Sequence, residues 1–172
     1  MNRQLYIDTN LAQKPKKPAS PCGDVTSVIR TPAATTLILC DGIGSDIKAK
    51  IAATMCVSRI RTLLENGFSL HKTFSTVVKT MQLYKSPDKP YAAFSIARIR
   101  NDGETTILSF EAPVPIIVTR SNAAPLTQRN LIINDTIAKE ADCYLLEKEA
   151  LLLVSDSITQ AGLGPKMRKG WL

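Results

Sequence analysis

Two of the most hydrophobic stretches of this 172-residue chain each run into an aspartate. Thr36-Leu37-Ile38-Leu39-Cys40 is followed by Asp41-Gly42, and Leu151-Leu152-Leu153-Val154-Ser155 by Asp156. A third acid, Asp24, follows Cys22-Gly23 and opens a β-branched segment. A carboxylate is costly to bury unless it is paired or ligates a metal. Several carboxylates delivered to neighbouring strand ends repel one another unless a cation neutralises them, and the hard divalent ions Mg²⁺ and Mn²⁺ take such oxygen ligands. A glycine beside Asp41 also lets its own carbonyl come close to an ion. Taken singly, Asp41-Gly42 has the composition of a common turn, and Asp156-Ser157 is a weaker signal still. Together, with a helix launched directly from the first turn, they favour a site.

The elements that must hold these acids follow from periodicity. Leu5-Tyr6-Ile7 and Val25 to Ile29 read as strands on either side of a Pro-Lys loop, 14–21. Thr35 to Cys40 reads as a strand buried on both faces, and Leu151 to Val154 as another. A helix is expected from about Ser45 to Glu65, with Ile47, Ile51, Met55 and Ile60 as its apolar stripe, small residues at Ala49, Ala52 and Ala53, and Asn66-Gly67 as its stop. A second helix starts after the N-cap candidate Ser69, carries Leu70, Phe74, Val77, Val78 and Met81 on one stripe, and ends before Pro87. Ala92 to Arg100, the turn Asn101-Asp102-Gly103, Thr105 to Phe110, Pro115 to Thr119 and a weaker Leu131 to Ile133 complete a β-rich remainder. Strands, then two adjacent helices, then more strands is not a strict βαβ alternation. It predicts an α+β sandwich of largely antiparallel sheets with helices on a face.

Composition narrows the rest. The length suits one domain, 1–172, and a core that needs no disulfides. The four cysteines, Cys22, Cys40, Cys56 and Cys143, show no C-x-x-C spacing, which argues for reduced, mostly buried thiols rather than zinc. The net charge of +7 comes partly from Lys14, Lys16 and Lys17 among prolines and from Lys166, Arg168 and Lys169 in the tail. No aromatic residues interleave with these clusters, so no nucleic-acid partner is expected. No apolar run is long enough to span a bilayer and no signal peptide opens the chain, so a cytoplasmic, membrane-free location is the default expectation.

The ordered motifs Cys22-Gly23-Asp24, then Leu39-Cys40-Asp41-Gly42-Ile43-Gly44-Ser45 with Lys48-Ala49, then Leu153-Val154-Ser155-Asp156 and Gln160-Ala161-Gly162 resemble the metal-dependent (type 2C, PPM) serine/threonine protein phosphatases. The nearest branch is that of stage II sporulation protein E (SpoIIE) and the sigma-factor regulatory phosphatases. The resemblance covers the chain from about residue 5 to its end. It implies an α-β-β-α sandwich of two antiparallel sheets flanked by helices, and a two-ion Mn²⁺ or Mg²⁺ centre. By motif, Asp41 bridges both ions, Gly42 offers its carbonyl, Asp156 binds the second ion, and Asp24 holds a metal or a metal-bound water. The implied reaction is hydrolysis of phosphoserine or phosphothreonine by a metal-activated water, on a phosphorylated regulatory protein of the anti-sigma-factor-antagonist kind.

Three departures from the family pattern stand out. Ser45-Asp46 stands where glycine is usual, and Asp46 is either an added acid or a first-turn acid favoured by the helix dipole. Ser157 replaces the glycine of Ser-Asp-Gly. The family's further metal-binding Asp has no counterpart before Leu172, so the domain is expected to be C-terminally incomplete. The alternative reading is a pseudophosphatase, impaired in catalysis, that binds a partner. His71 and Arg59 with Arg61 read as surface helix residues, and Glu111-Ala112-Pro113 as a structural turn.

Overall fold

The computed structural model describes residues 4–15, 21–44, 46–85, 89 and 91–159, Asp46 by its backbone only. Their order is β1 (Asp24–Arg30), β2 (Ala34–Ile43), α1 (Asp46–Glu65), α2 (Leu70–Leu83), β3 (Tyr91–Arg100), β4 (Glu104–Phe110), β5 (Ile116–Val118), β6 (Ala123–Pro125), β7 (Arg129–Ile133), β8 (Thr136–Tyr144), β9 (Ala150–Leu152) and α3 (Asp156–Thr159). Six strands form one sheet in the order β1-β2-β3-β4-β8-β7, and three form a second in the order β6-β5-β9. Every pairing is antiparallel. The architecture is the expected α+β arrangement of two antiparallel sheets with α1 and α2 covering one face of the larger sheet.

Side-chain alternation along the strands separates two interiors. Ile38, Cys40, Phe94, Ile96, Leu108 and Phe110 point toward the helices and meet Ile60, Phe74, Val77 and Val78. Phe94 packs between Phe74 and Phe110, with ring centroids 5.3 and 5.7 Å apart. Ala97, Ile107 and Ala141 point the other way, toward Leu126, Leu151 and Leu153. That second interior is thin, because three short strands cover only part of a six-stranded face. Val28 at one margin, and Ile132 and Ile137 at the other, stay exposed.

The helix ends are chemically explicit. Ser69 caps α2 by accepting from the Lys72 amide. After α1, Gly67 adopts φ 82°, and the amides of Gly67 and Phe68 donate to the carbonyls of Leu64 and Leu63, closing the helix at the expected Asn66-Gly67. The α2 stripe Leu70, Phe74, Val77, Val78 and Met81 is buried as its spacing predicts.

Several expectations are corrected. The buried face of α1 is Ala49, Ala52, Ala53, Cys56, Val57 and Ile60, whereas Ile47, Ile51 and Met55 lie outside, 65%, 47% and 48% exposed. The first half of the helix sits so close to β2 that small side chains make the contact there, and Ile47, Ile51 and Met55 are turned to solvent, whereas Ile60 further along is buried as expected. Residues 5–7 form no strand. Their one ladder-like bond is Leu5 N–H to the Asn101 carbonyl, and the Arg30 guanidinium, not a β-ladder, fastens the segment by donating to the Ile7 carbonyl at 2.7 Å. Arg61, 40% exposed, is more than a solvated helix position, because it donates to Ser27 Oγ on β1 at 2.6 Å and to Glu65 at 2.7 Å. β9 is shorter than Leu151 to Val154 and only half-buried, since it pairs with three residues of β5 alone. β6 and β8 have no counterpart among the elements expected from periodicity. Pro87, Lys16, Lys17, Ser45, Gln160-Ala161-Gly162 and the basic tail lie outside the described residues.

Candidate metal centre

Asp41 and Gly42 are not in a turn after a strand; β2 runs through them to Ile43. The register places Asp24, the first residue of β1, directly opposite Asp41. Ala93 of β3 flanks Asp41 on the other side, and its small side chain leaves room above the carboxyl. Like charges directly opposite in an antiparallel pair destabilise it, so the position needs a compensating partner. After β9 the chain crosses through Leu153, Val154 and Ser155 to Asp156, which opens α3. Ser155 is buried and donates to Asp24 Oδ2 at 2.9 Å. The carbonyl of Asp24 accepts from Gln13 Nε2 at 2.7 Å and Lys50 Nζ at 3.4 Å. The structure therefore brings Asp24, Asp41 and Asp156 together from opposite ends of the chain.

Electrostatics confirm the crowding. Burial, then the Asp24 carboxylate, then a hydrogen bond and charge from Asp156 push the Asp41 carboxyl up to about 8. Among the described residues none of the three acids is in a salt bridge. Among the described residues no three His, Cys, Asp or Glu side chains are grouped closely enough to form a metal site as placed. The three acids are nonetheless carboxylate oxygen donors, the donor type that suits a hard divalent cation. The residues present therefore fit Mn²⁺ or Mg²⁺.

Gly42 is set by its neighbour. A Cβ there would collide with the carbonyl group of Ala49 in α1, which lies over β2. A small cleft opens beside the acids, lined by Asp41, Ser155 and Asp156 together with Glu111, Ala112 and Pro113. A longer groove reaches Asp24 and Gly42 along the 8–14 segment, β1–β2 and residues 151–158. His71 does not line this cleft; it is bonded at 2.8 Å to Glu140 of β8.

The SpoIIE family model (Stage II sporulation protein E) matches residues 31–171. The chain belongs to that family. No curated protein sequence matches it, but solved structures do. One is a structure of the RsbU and RsbW domains of Rv1364c from Mycobacterium tuberculosis, 15% identical, TM-score 0.71, covering 84% of this chain and 42% of that one. Another is the PP2C phosphatase domain of SpoIIE from Bacillus subtilis with a fragment of its regulatory domain, 19% identical, TM-score 0.69, covering 80% and 41%. A third is RsbX in complex with magnesium, 15% identical, TM-score 0.67, covering 86% and 72%. This SpoIIE-family chain thus has the fold of type 2C phosphatase domains and spans about two fifths of the first two chains.

Ser155 is the residue whose role the sequence leaves unassigned: it stands in a motif, yet only the fold shows its hydroxyl on Asp24. Ser155→Ala is expected to weaken Mn²⁺ binding about 10-fold, the low end for losing an outer-shell partner of a ligand, with little change in melting temperature. Calorimetric titration beside a thermal melt checks both.

Proposed function

We propose that this SpoIIE-family chain is a metal-dependent serine/threonine protein phosphatase acting on a phosphorylated regulatory protein. One observation carries the reading: Asp24 and Asp41 face each other across β1 and β2, Asp156 lies close enough to raise the Asp41 carboxyl, and among the described residues none of the three is in a salt bridge. Asp24, Asp41 and Asp156 would hold two Mn²⁺ or Mg²⁺ ions, Asp41 between them, with the Gly42 carbonyl as a further oxygen. Such an ion pair, when bound, supplies an activated water and neutralises phosphoryl charge.

The protein's own part is positional. The hairpin register fixes the spacing of Asp24 and Asp41, and Ser155 orients Asp24. The cleft beside Asp41 and Asp156 opens to the surface, where a phosphorylated side chain would approach. Gly42 keeps α1 tight against the strand that carries the central acid. The likeness to an RsbU–RsbW chain supports a regulatory-protein substrate, of the kind that antagonises an anti-sigma factor. One domain, 1–172, in the cytoplasm is part of the same proposal; among the described residues no helix is long and apolar enough to cross a membrane.

The test is hydrolysis of p-nitrophenyl phosphate and of a phosphoserine peptide with Mn²⁺, with Mg²⁺ and with chelator. Chelator-sensitive turnover is the expected result. The second reading, a partner-binding pseudophosphatase, is favoured by Ser157 in place of glycine after Asp156 and by the unfinished ligand set. Folded protein that binds Mn²⁺ but turns over neither substrate would establish it.

A further inference from the structure

Glu111 follows β4 at φ 51°, a left-handed backbone that glycine adopts freely and other residues only against steric resistance. Non-glycine residues persist there when the surroundings over-determine them, and such outliers concentrate at functional sites. Here the surroundings act on the side chain. Tyr91 Oη donates to Glu111 Oε2 and Lys85 Nζ donates to Oε1 at 2.5 Å. The Lys85 ammonium also lies 5.6 Å from the centre of the Tyr91 ring. Burial, then the bond to Glu111, pushes the Tyr91 phenol up, so it remains a donor. The carboxylate is held from two directions and stays 39% exposed, and Glu111 lines the same cleft as Asp41 and Asp156.

We propose that Glu111 is a specificity-determining residue: its carboxylate, anchored by Tyr91 and shared with Lys85 at the Asp41–Asp156 cleft, selects phosphopeptides with a Lys or Arg beside the phosphorylated residue. A carboxylate has about four acceptor positions, and Tyr91 and Lys85 occupy two of them among the described residues. A phosphorylated side chain directed at Asp41 and Asp156 brings its neighbours close to Glu111, which lines the same cleft. A cation there gains a charge-assisted hydrogen bond to Glu111; an acidic neighbour meets like charge, and this repulsive half of the discrimination matters as much as the attraction. Lys85 competes for the same carboxylate and moderates the preference.

The proposal rests on the phosphatase reading, and the experiment separates the two. Short peptides with a central phosphoserine, flanked by Lys or by Glu, are compared on the full chain with Mn²⁺. Binding is read by fluorescence anisotropy of their non-hydrolysable phosphonate forms, and turnover as kcat/KM. Wild type should bind the Lys-flanked peptide about threefold to fivefold tighter, the range of a solvent-exposed ion pair. Glu111→Gln, nearly isosteric, should bring that ratio to about one. Lys85→Met removes the competitor and keeps Glu111, so its ratio should rise above that of wild type. A purely structural Glu111 would change both peptides equally and leave the ratio alone. A ratio unchanged in Glu111→Gln, or one that fails to rise in Lys85→Met, overturns the assignment. Absence of metal-dependent turnover on both peptides in wild type would instead sink the phosphatase reading.

Discussion

Asp41→Asn is expected to weaken Mn²⁺ binding by at least about 100-fold, because changes one shell further out already cost 10–100-fold, and to remove phosphatase activity with it. The same substitution should stabilise the metal-free protein at alkaline pH. In the folded chain the Asp41 carboxyl is pushed up to about 8 from an ordinary 3.8, first by burial and then by Asp24 and Asp156. A folded-state value above the unfolded one means that the folded form keeps a proton the unfolded form has released. The stability this contributes is full below about 3.8 and is lost as pH rises through about 8. Metal-free wild type should therefore melt at falling temperature as pH climbs through that window, while Asp41→Asn, neutral throughout, should follow a flatter line and melt higher at about pH 8. Added Mn²⁺ should reverse the order, since an ion that binds only the folded form stabilises by mass action and only wild type binds it well. Thermal melts across pH, with and without Mn²⁺, read all of this. Parallel pH profiles for the two proteins would show that Asp41 is not the strained group.

Gly42→Ala should be severely destabilising. The added Cβ meets the backbone carbonyl of Ala49, not the flexible end of a side chain, so no rotamer change relieves it and α1 must lift from β2. Overpacking a tight interior costs about 1–3 kcal/mol and occasionally more; a backbone obstacle puts this case at or above about 3 kcal/mol. Ala49→Gly should give no rescue, because the obstacle is the peptide group and remains. Metal affinity should fall too, since Asp41 precedes the distorted position. Urea unfolding of Gly42→Ala, Ala49→Gly and the double variant tests the argument; a stable Gly42→Ala protein with ordinary Mn²⁺ affinity would contradict it.

What the sequence discloses depends on the kind of signal. Asp24, Asp41 and Asp156 are legible because an acid that follows or opens a hydrophobic strand is chemically conspicuous. The α2 stripe is legible because large apolar residues at helical spacing face the core. The first half of α1 inverts that rule: the contact is so close that alanines and Cys56 make it, and Ile47, Ile51 and Met55 face solvent, while of the residues that periodicity selects only Ile60 is buried. β8 is illegible for a related reason. Its Lys139, Glu140 and Asp142 do not read as an interior strand, yet Glu140 is buried because Arg129 and His71 reach its carboxylate. The run of strand through Asp41 and Gly42 is hidden as well, since Asp-Gly is locally a turn pair and only β1 and β3 on either side hold it extended. Ser155 on Asp24 is a contact across most of the chain, which no local pattern encodes.

The hairpin that sets Asp24 against Asp41 also orders events in time. Its two strands are neighbours in sequence, so they pair through a short loop closure, whereas Asp156 must be brought back from near the far end of the described chain. Contacts of that separation form late in folding. A chain emerging from the ribosome holds two opposed carboxylates long before the third acid exists, and in that interval it has no complete cage with which to capture an ion. At the proposed metal centre, loading would therefore wait for the docking of the segment that carries Val154, Ser155 and Asp156.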